Sequence, residues 1–177
     1  MNLSLKQTKA LDLLEDDQTT EVLFGGSAGG GKSVIGAYWV LKNCFKYPKS
    51  RWLIGRAELK VLKETTLISF FEVCNIQGLK AGVHYRYNQQ DSSVTTANGS
   101  VILFKDLDYY PSDPNFDSLG SLEITGAFID ECNQLVSIAK EVVKSRIRFK
   151  LDHFGIIPKL LMTCNPAKNW VYHDFYL

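Results

Sequence analysis

The sequence predicts an α/β protein: a mainly parallel sheet flanked by helices, with an inserted antiparallel hairpin, set into the parallel sheet or laid along its edge. Three observations carry this. Up to Cys74, short apolar runs of strand length alternate with longer segments of helical period, as parallel strands joined by crossover helices do. The glycine-rich stretch Gly25-Gly26-Ser27-Ala28-Gly29-Gly30-Gly31-Lys32-Ser33 separates the first of these strands from its helix. Asn98-Gly99, between two short β-forming runs, is the strongest short-range hairpin signal in the chain.

Taken in order, residues 2–14 read as a short amphipathic helix with Ser4 as N-cap and Leu3, Leu11 and Leu14 available to pack. Val22-Leu23-Phe24 is the first strand, and residues 34–45, apolar nearly all round, form a helix buried against a sheet. Tyr47-Pro48 stops it. Residues 51–55 form a second strand with Arg56 at its carboxyl end, and residues 58–74 a helix. Segments 84–88, 93–97 and 101–105 are short β runs, whereas 106–121 mixes Asp, Pro, Tyr, Ser and Asn without period. That segment is expected to be a loop ordered by a partner or ligand. An apolar strand then ends in Ile129-Asp130-Glu131, residues 134–149 are expected to be helical, and residues 159–164 form the last buried strand before Asn165-Pro166. The aromatic tail from Ala167 closes with a short helix.

At 177 residues the chain is long enough for one domain with a proper core and short for two. Hydrophobic residues make up 45% and charged residues 22%, which excludes disorder as the default state. A net charge of +1 confines any nucleic-acid contact to a local patch. No stretch approaches the length of a membrane span. Cys44, Cys74, Cys132 and Cys164 never form C-x-x-C, and His84, His153 and His173 lack the spacing of a helical metal pair, so the cysteines read as small buried apolar groups.

From Gly26 to Ser33 the sequence satisfies G-x-x-x-x-G-K-[ST] in the strand-then-helix context that this phosphate-binding loop requires. Glycines let the main chain approach an anion closely, and the amides at the start of the next helix face it with the helix dipole behind them. Lys32 would reach the β and γ phosphates of a nucleotide, and the Ser33 hydroxyl would ligate Mg²⁺. In an open α/β sheet ligands collect at the carboxyl ends of the strands. Asp130 and Glu131 end one strand there and Asn165 another. Two adjacent carboxylates divide the labour of hydrolysis: Asp130 accepts Mg²⁺, usually through water, and Glu131 polarises the attacking water as general base. Read plainly, they are polar residues ending a strand. Gln7 is either a solvated helix residue or an amide facing an adenine edge. The basic run Lys140, Lys144, Arg146, Arg148 and Lys150 is either a solvated helix face or a contact for DNA phosphates.

Gly-Gly-Ser-Ala-Gly-Gly-Gly-Lys-Ser, the strand ending Ile129-Asp130-Glu131, and Leu161-Met162-Thr163-Cys164-Asn165-Pro166 occur in an order and at spacings that resemble the ATPase domain of the tailed-bacteriophage terminase large subunit. The Asn98-Gly99-Ser100 hairpin and the Trp170-Val171-Tyr172 tail add to the likeness, which covers essentially the whole chain. The resemblance implies a P-loop NTPase of the additional-strand catalytic-glutamate type whose Mg²⁺-dependent ATP hydrolysis drives viral double-stranded DNA into a procapsid in the host cytoplasm. Portal protein and terminase small subunit are the implied partners, with a homo-oligomeric ring when active. By position, Gly26 to Ser33 would be Walker A, with Lys32 and Glu131 catalytic and Asp130 with Ser33 at the metal. Thr163 and Asn165 would belong to the coupling motif that senses the γ phosphate, and Gln7 would be the adenine-contacting glutamine.

Two departures from the family pattern stand out. The loop carries no basic residue at its variable positions Ser27, Ala28, Gly29 and Gly30, and Ser118-Leu119-Gly120-Ser121 holds no arginine before the Walker B strand. Arg56, Arg146 and Arg148 are therefore the candidates for an arginine finger or a DNA contact. The nuclease domain of the family is expected to be absent from these residues, because few carboxylates follow Glu131 and a two-metal nuclease needs several that converge. A helicase-like P-loop translocase and a nucleotide-dependent assembly module with little turnover are the alternative functions.

Overall fold

A computed structural model of the chain describes residues 1–26 and 31–176. The elements run α1 (Leu5–Glu15), β1 (Glu21–Gly25), α2 (Lys32–Lys46), β2 (Arg51–Arg56), α3 (Leu59–Glu64), α4 (Thr66–Ile76), β3 (Tyr85–Asn88), β4 (Ser93–Thr96), β5 (Val101–Asp106), β6 (Gly126–Ile129), α5 (Ser137–Ser145), α6 (Leu151–Phe154), β7 (Leu160–Cys164) and α7 (Trp170–Tyr176). The strands form one sheet in the order β1-β7-β6-β2-β5-β4-β3. From β1 to β5 all neighbours are parallel, and β4 and β3 are antiparallel.

Alternation along the strands builds a core on each face. Trp52, Ile54, Phe104, Phe128 and Leu161 meet α1, α2 and α4 on one side. Leu53, Ala127, Ile129, Leu160 and Met162 meet α5, α7 and the segment before β6 on the other. On the first face α2 lies directly on β6: a Cβ built on Gly36 would sit 2.2 Å from the Phe128 ring. That close approach holds the start of α2 against the end of β6.

The expected antiparallel hairpin is present and is laid along the edge of the parallel sheet. It is not inserted among the parallel strands; β5 is itself the parallel neighbour of β2, and β4 and β3 extend the sheet outward from it. Its tip has a second task. Asn98 donates to the carbonyls of Cys44 and Phe45 at 2.9 and 3.2 Å, and Ser100 Oγ to that of Cys44 at 2.7 Å. Orphan carbonyls at the end of α2 are thereby satisfied from another element.

Three expectations change. The helix over 58–74 is split at Thr65, whose φ of −130° and ψ of −72° separate α3 from α4. Its hydroxyl donates to the Val61 carbonyl at 2.6 Å, a local side-chain bond that competes with helix continuation. The helix over 134–149 shrinks to α5, after which the chain turns and Ile147 pairs in parallel with Ile124. Segment 106–121 needs no partner for its order: Leu107, Phe116 and Leu119 are buried, and Asp113 accepts from Asp117 N and Ser118 Oγ, both at 2.7 Å.

The basic run is therefore not one helix face. Lys140 is buried, with its ammonium 3.0 Å from Asp174, 3.2 Å from Glu141 and 3.5 Å from Glu21, and lies over the Trp170 and Phe175 rings. Lys144 reaches Glu21 at 3.3 Å and Arg148 reaches Glu123 at 3.4 Å. No helix among the described residues is long and apolar enough to cross a membrane.

Candidate functional site

Because the central strands are parallel, their carboxyl ends share one edge, and the chain places its reactive groups there. Gly26 follows β1, Arg56 ends β2, Asp130 and Glu131 follow β6, and Asn165 follows β7. Ser27, Ala28, Gly29 and Gly30 lie outside the described residues. Gly31, with φ of 70°, leads into α2, whose start has no side-chain cap among the described residues. Lys32 is buried, and its ammonium donates to the Gly26 carbonyl at 2.8 Å and to Asn165 Oδ1 at 2.6 Å.

Asp130 is fully buried, and a buried carboxylate is tolerated only when its charge and lone pairs are met. Its Oδ1 accepts from Thr163 Oγ1 at 2.6 Å, and its Oδ2 accepts from Ser33 and Thr66, each at 2.7 Å. Arg56 Nη1 stands 3.8 Å from the same Oδ2. The next residue, Glu131, adopts the left-handed conformation with φ of 51° and ψ of 51°. Such a backbone costs a non-glycine residue about 1–2 kcal/mol. Its amide donates to Thr163 Oγ1 at 3.3 Å, and its carboxylate accepts from Asn165 Nδ2 at 3.2 Å. Thr163 thus touches both acidic residues from β7, and Asn165 spans Lys32 and Glu131.

Ser33 Oγ and Asp130 Oδ2 are hard oxygens side by side. Mg²⁺ is bound through one or two protein oxygens, with water and substrate phosphate completing its octahedron, so the pair fits that ion. Among the described residues no group of three His, Cys, Asp or Glu side chains could hold a metal. A divalent ion at this edge would depend on this pair and on the ligand's own oxygens.

Gln7 is buried, not solvated. Its Oε1 accepts from Ser4 N at 2.9 Å in a capping box, and its Nε2 donates to the Gly31 carbonyl at 3.2 Å. The amide therefore braces the end of the glycine-rich loop, with one N–H and one lone pair left over. Lys6, which sequence reasoning missed, donates to the Gly25 carbonyl and lies 4.8 Å from the centre of the Phe24 ring. Thr66 was also missed. Its only sequence signal is the Thr65-Thr66 pair, two β-branched residues in a predicted helix.

The candidate arginines separate. Arg56 is turned inward, donating to Thr65 Oγ1 at 2.9 Å and Thr66 Oγ1 at 3.4 Å beside Asp130 of its own chain. Arg146 and Arg148 flank the pairing with Ile124, at the other end of β6 from Asp130. Behind the acidic pair, Cys132 and Cys164 are buried together. The hydrogen bond between them pulls the Cys164 thiol down against the effect of burial, while that contact and burial push Cys132 up.

A family model described as the phage terminase large subunit matches residues 17–177. No match was found among curated protein sequences. Among solved structures, the large terminase of a thermophilic bacteriophage superposes with a TM-score of 0.75 at 15% identity, covering 99% of this chain and 43% of that one. The same phage protein in complex with ATP-gamma-S gives 0.74 at 14% identity, covering 99% and 41%. The ATPase domain of the Thermus phage P74-26 large terminase gives 0.66 at 15% identity, covering 99% and 69%. The N-terminal domain of the DNA packaging ATPase of bacteriophage phi29 gives 0.63 at 13% identity, covering 98% and 86%. At these identities the likeness is one of fold. The chain spans less than half the length of the thermophilic phage terminase.

Proposed function

Since the chain belongs to the phage terminase large subunit family, we propose that its carboxyl-edge site binds ATP with Mg²⁺ and hydrolyses it to drive double-stranded DNA into a procapsid. The observation that carries this is the bridge made by Asn165, which ties the Lys32 ammonium to the Glu131 carboxylate beside a buried Asp130 and Ser33. The thermophilic phage relative solved with ATP-gamma-S supports the choice of nucleotide.

In this reading the start of α2 and Lys32 receive the β and γ phosphates. Ser33 and Asp130 would hold Mg²⁺, which when bound neutralises charge developing on the phosphate oxygens. Glu131 takes a proton from the attacking water, and Asn165 Nδ2 orients that carboxylate. Lys32 then exchanges Asn165 for phosphate, so the amide reports whether the γ phosphate is present. Gln7 offers its remaining donor and acceptor to the adenine. Portal protein, the terminase small subunit and a ring of like subunits are the partners in the host cytoplasm.

Phosphate release measured on the purified chain tests the reading. Slow Mg²⁺-dependent turnover is expected, because an arginine supplied by a neighbour is worth roughly 10³–10⁵ in rate. Glu131→Gln should abolish turnover while ATP-gamma-S still binds, and Lys32→Ala should weaken that binding. Undiminished turnover in Glu131→Gln would remove the glutamate from its role.

A further inference from the structure

We propose that Arg56 and Thr66 are positioning residues acting within their own subunit: together they hold the Asp130 carboxylate for the metal-bound nucleotide. The proposal rests on the reading of this edge as a Mg²⁺–ATP site.

The argument starts from what Asp130 Oδ2 can keep. Ser33 and Thr66 each donate to it, with Arg56 Nη1 3.8 Å away. Ser33 sits on the phosphate-binding helix, and its hydroxyl is the group that a divalent ion would claim. Once that bond is exchanged, Oδ2 retains only Thr66 and Arg56 from this set. Thr163 holds the other oxygen, Oδ1, from β7. Without Thr66 and Arg56 the carboxylate is pinned on one side only and is free to turn about that contact.

The break between α3 and α4 exists at the point where it supplies these contacts. In a continuous helix, neighbouring residues point about 100° apart and do not face a common group. At Thr65 the backbone leaves helical geometry, and Thr65 and Thr66 both come within reach of one guanidinium nitrogen, at 2.9 and 3.4 Å. Thr65 Oγ1 is anchored in turn by donating to Val61. Thr66 is fully buried, so its hydroxyl serves the interior. Arg56 is 13% exposed at its side chain, and its Nε is buried with no hydrogen-bond partner among the described residues. A guanidinium held this way compensates the buried carboxylate beside it.

Arg56 is reached from within its own subunit, which separates this role from a finger inserted into a neighbour's site and from a contact to DNA phosphates. Thr66→Val removes the hydroxyl at nearly constant shape, Thr66→Ser keeps it, and Arg56→Gln removes the charge. ATP-gamma-S affinity is measured in EDTA and across a Mg²⁺ titration, together with the Mg²⁺ dependence of hydrolysis and thermal melting of each variant. The expected result is a rise of about tenfold in the Mg²⁺ needed for half-saturation in Thr66→Val and Arg56→Gln, with affinity in EDTA unchanged and Thr66→Ser close to the parent. An unshifted Mg²⁺ requirement in folded variants overturns the proposal. So does recovery of hydrolysis when Arg56→Gln subunits are mixed with Glu131→Gln subunits, which would place Arg56 in a neighbour's site. Failure of the parent chain to bind ATP-gamma-S with or without Mg²⁺ would instead overturn the underlying reading of the site.

Discussion

Asn165 Oδ1 accepts a 2.6 Å hydrogen bond from Lys32 Nζ across 133 positions of sequence. The other end of the same amide faces Glu131. An amide can do both because it carries an acceptor and a donor on one planar group. Asn165→Asp would put a second carboxylate against Glu131 and give Lys32 a charged partner competing with phosphate. ATP-gamma-S affinity in that variant is expected to fall by about tenfold or more, because the phosphate must displace an opposite unit charge from Lys32 where it now displaces a neutral amide. Asn165→Ala is expected to bind within a few-fold of the parent and lose about 10²-fold or more in turnover, the scale of a misplaced general base. Titration and phosphate release on the two variants check both.

Glu131 has a left-handed backbone that its side chain does not favour. Glu131→Gly and Glu131→Ala should therefore lose turnover alike and differ in stability. The glycine variant is expected to be the more stable by about 1 kcal/mol, a gap of roughly 2–4 °C in melting temperature for a chain of this size. Equal melting temperatures would show that the site carries no such strain.

Gly36 is where α2 touches β6, with no room for a methyl group before the Phe128 ring. Gly36→Ala should destabilise the protein by about 1–3 kcal/mol through overpacking. Pushing the helix away also draws Ser33 from Asp130, so the Mg²⁺ requirement for ATP-gamma-S binding should rise. A second change, Phe128→Leu, should recover part of both effects because the two positions share one contact.

Lys140 belongs to the interior despite its place in a basic run. Lys140→Met leaves Glu21 Oε1, buried and without a hydrogen-bond partner among the described residues, with Lys144 at 3.3 Å as its remaining ion-pair partner there. The expected cost is about 1–3 kcal/mol, below the roughly 3–5 kcal/mol typical of a fully buried pair because Asp174 and Glu141 are partly in water. Urea unfolding measures it. The salt dependence of double-stranded DNA binding should not change, since a side chain spent on carboxylates releases no counterions from DNA.

Much of the fold was legible because local signals were strong. The phosphate-loop pattern, the apolar runs of β1, β2 and β7, and Asn98-Gly99 each carry their own geometry. What was illegible depended on partners that periodicity does not register. Thr65 breaks a helix whose apolar spacing continues past it, because its hydroxyl bonds the Val61 carbonyl and accepts from a guanidinium at the end of β2. The basic residues after Ser137 form one run in the sequence, yet Lys140 turns inward because Glu21 and Asp174 arrive from β1 and α7.

The sequence by itself determined which groups are present and which kind of element ends in each: a glycine-rich turn before a helix, two carboxylates after one strand, an asparagine after another. Only the tertiary structure decided that β7, last among the strands in the chain, lies between β1 and β6. Strand order follows from which apolar faces pair across long separations, and no local pattern encodes it. That placement sets Asn165 between Lys32 and Glu131 and Thr163 beneath Asp130, and the break at Thr65 adds Arg56 and Thr66 from the opposite side.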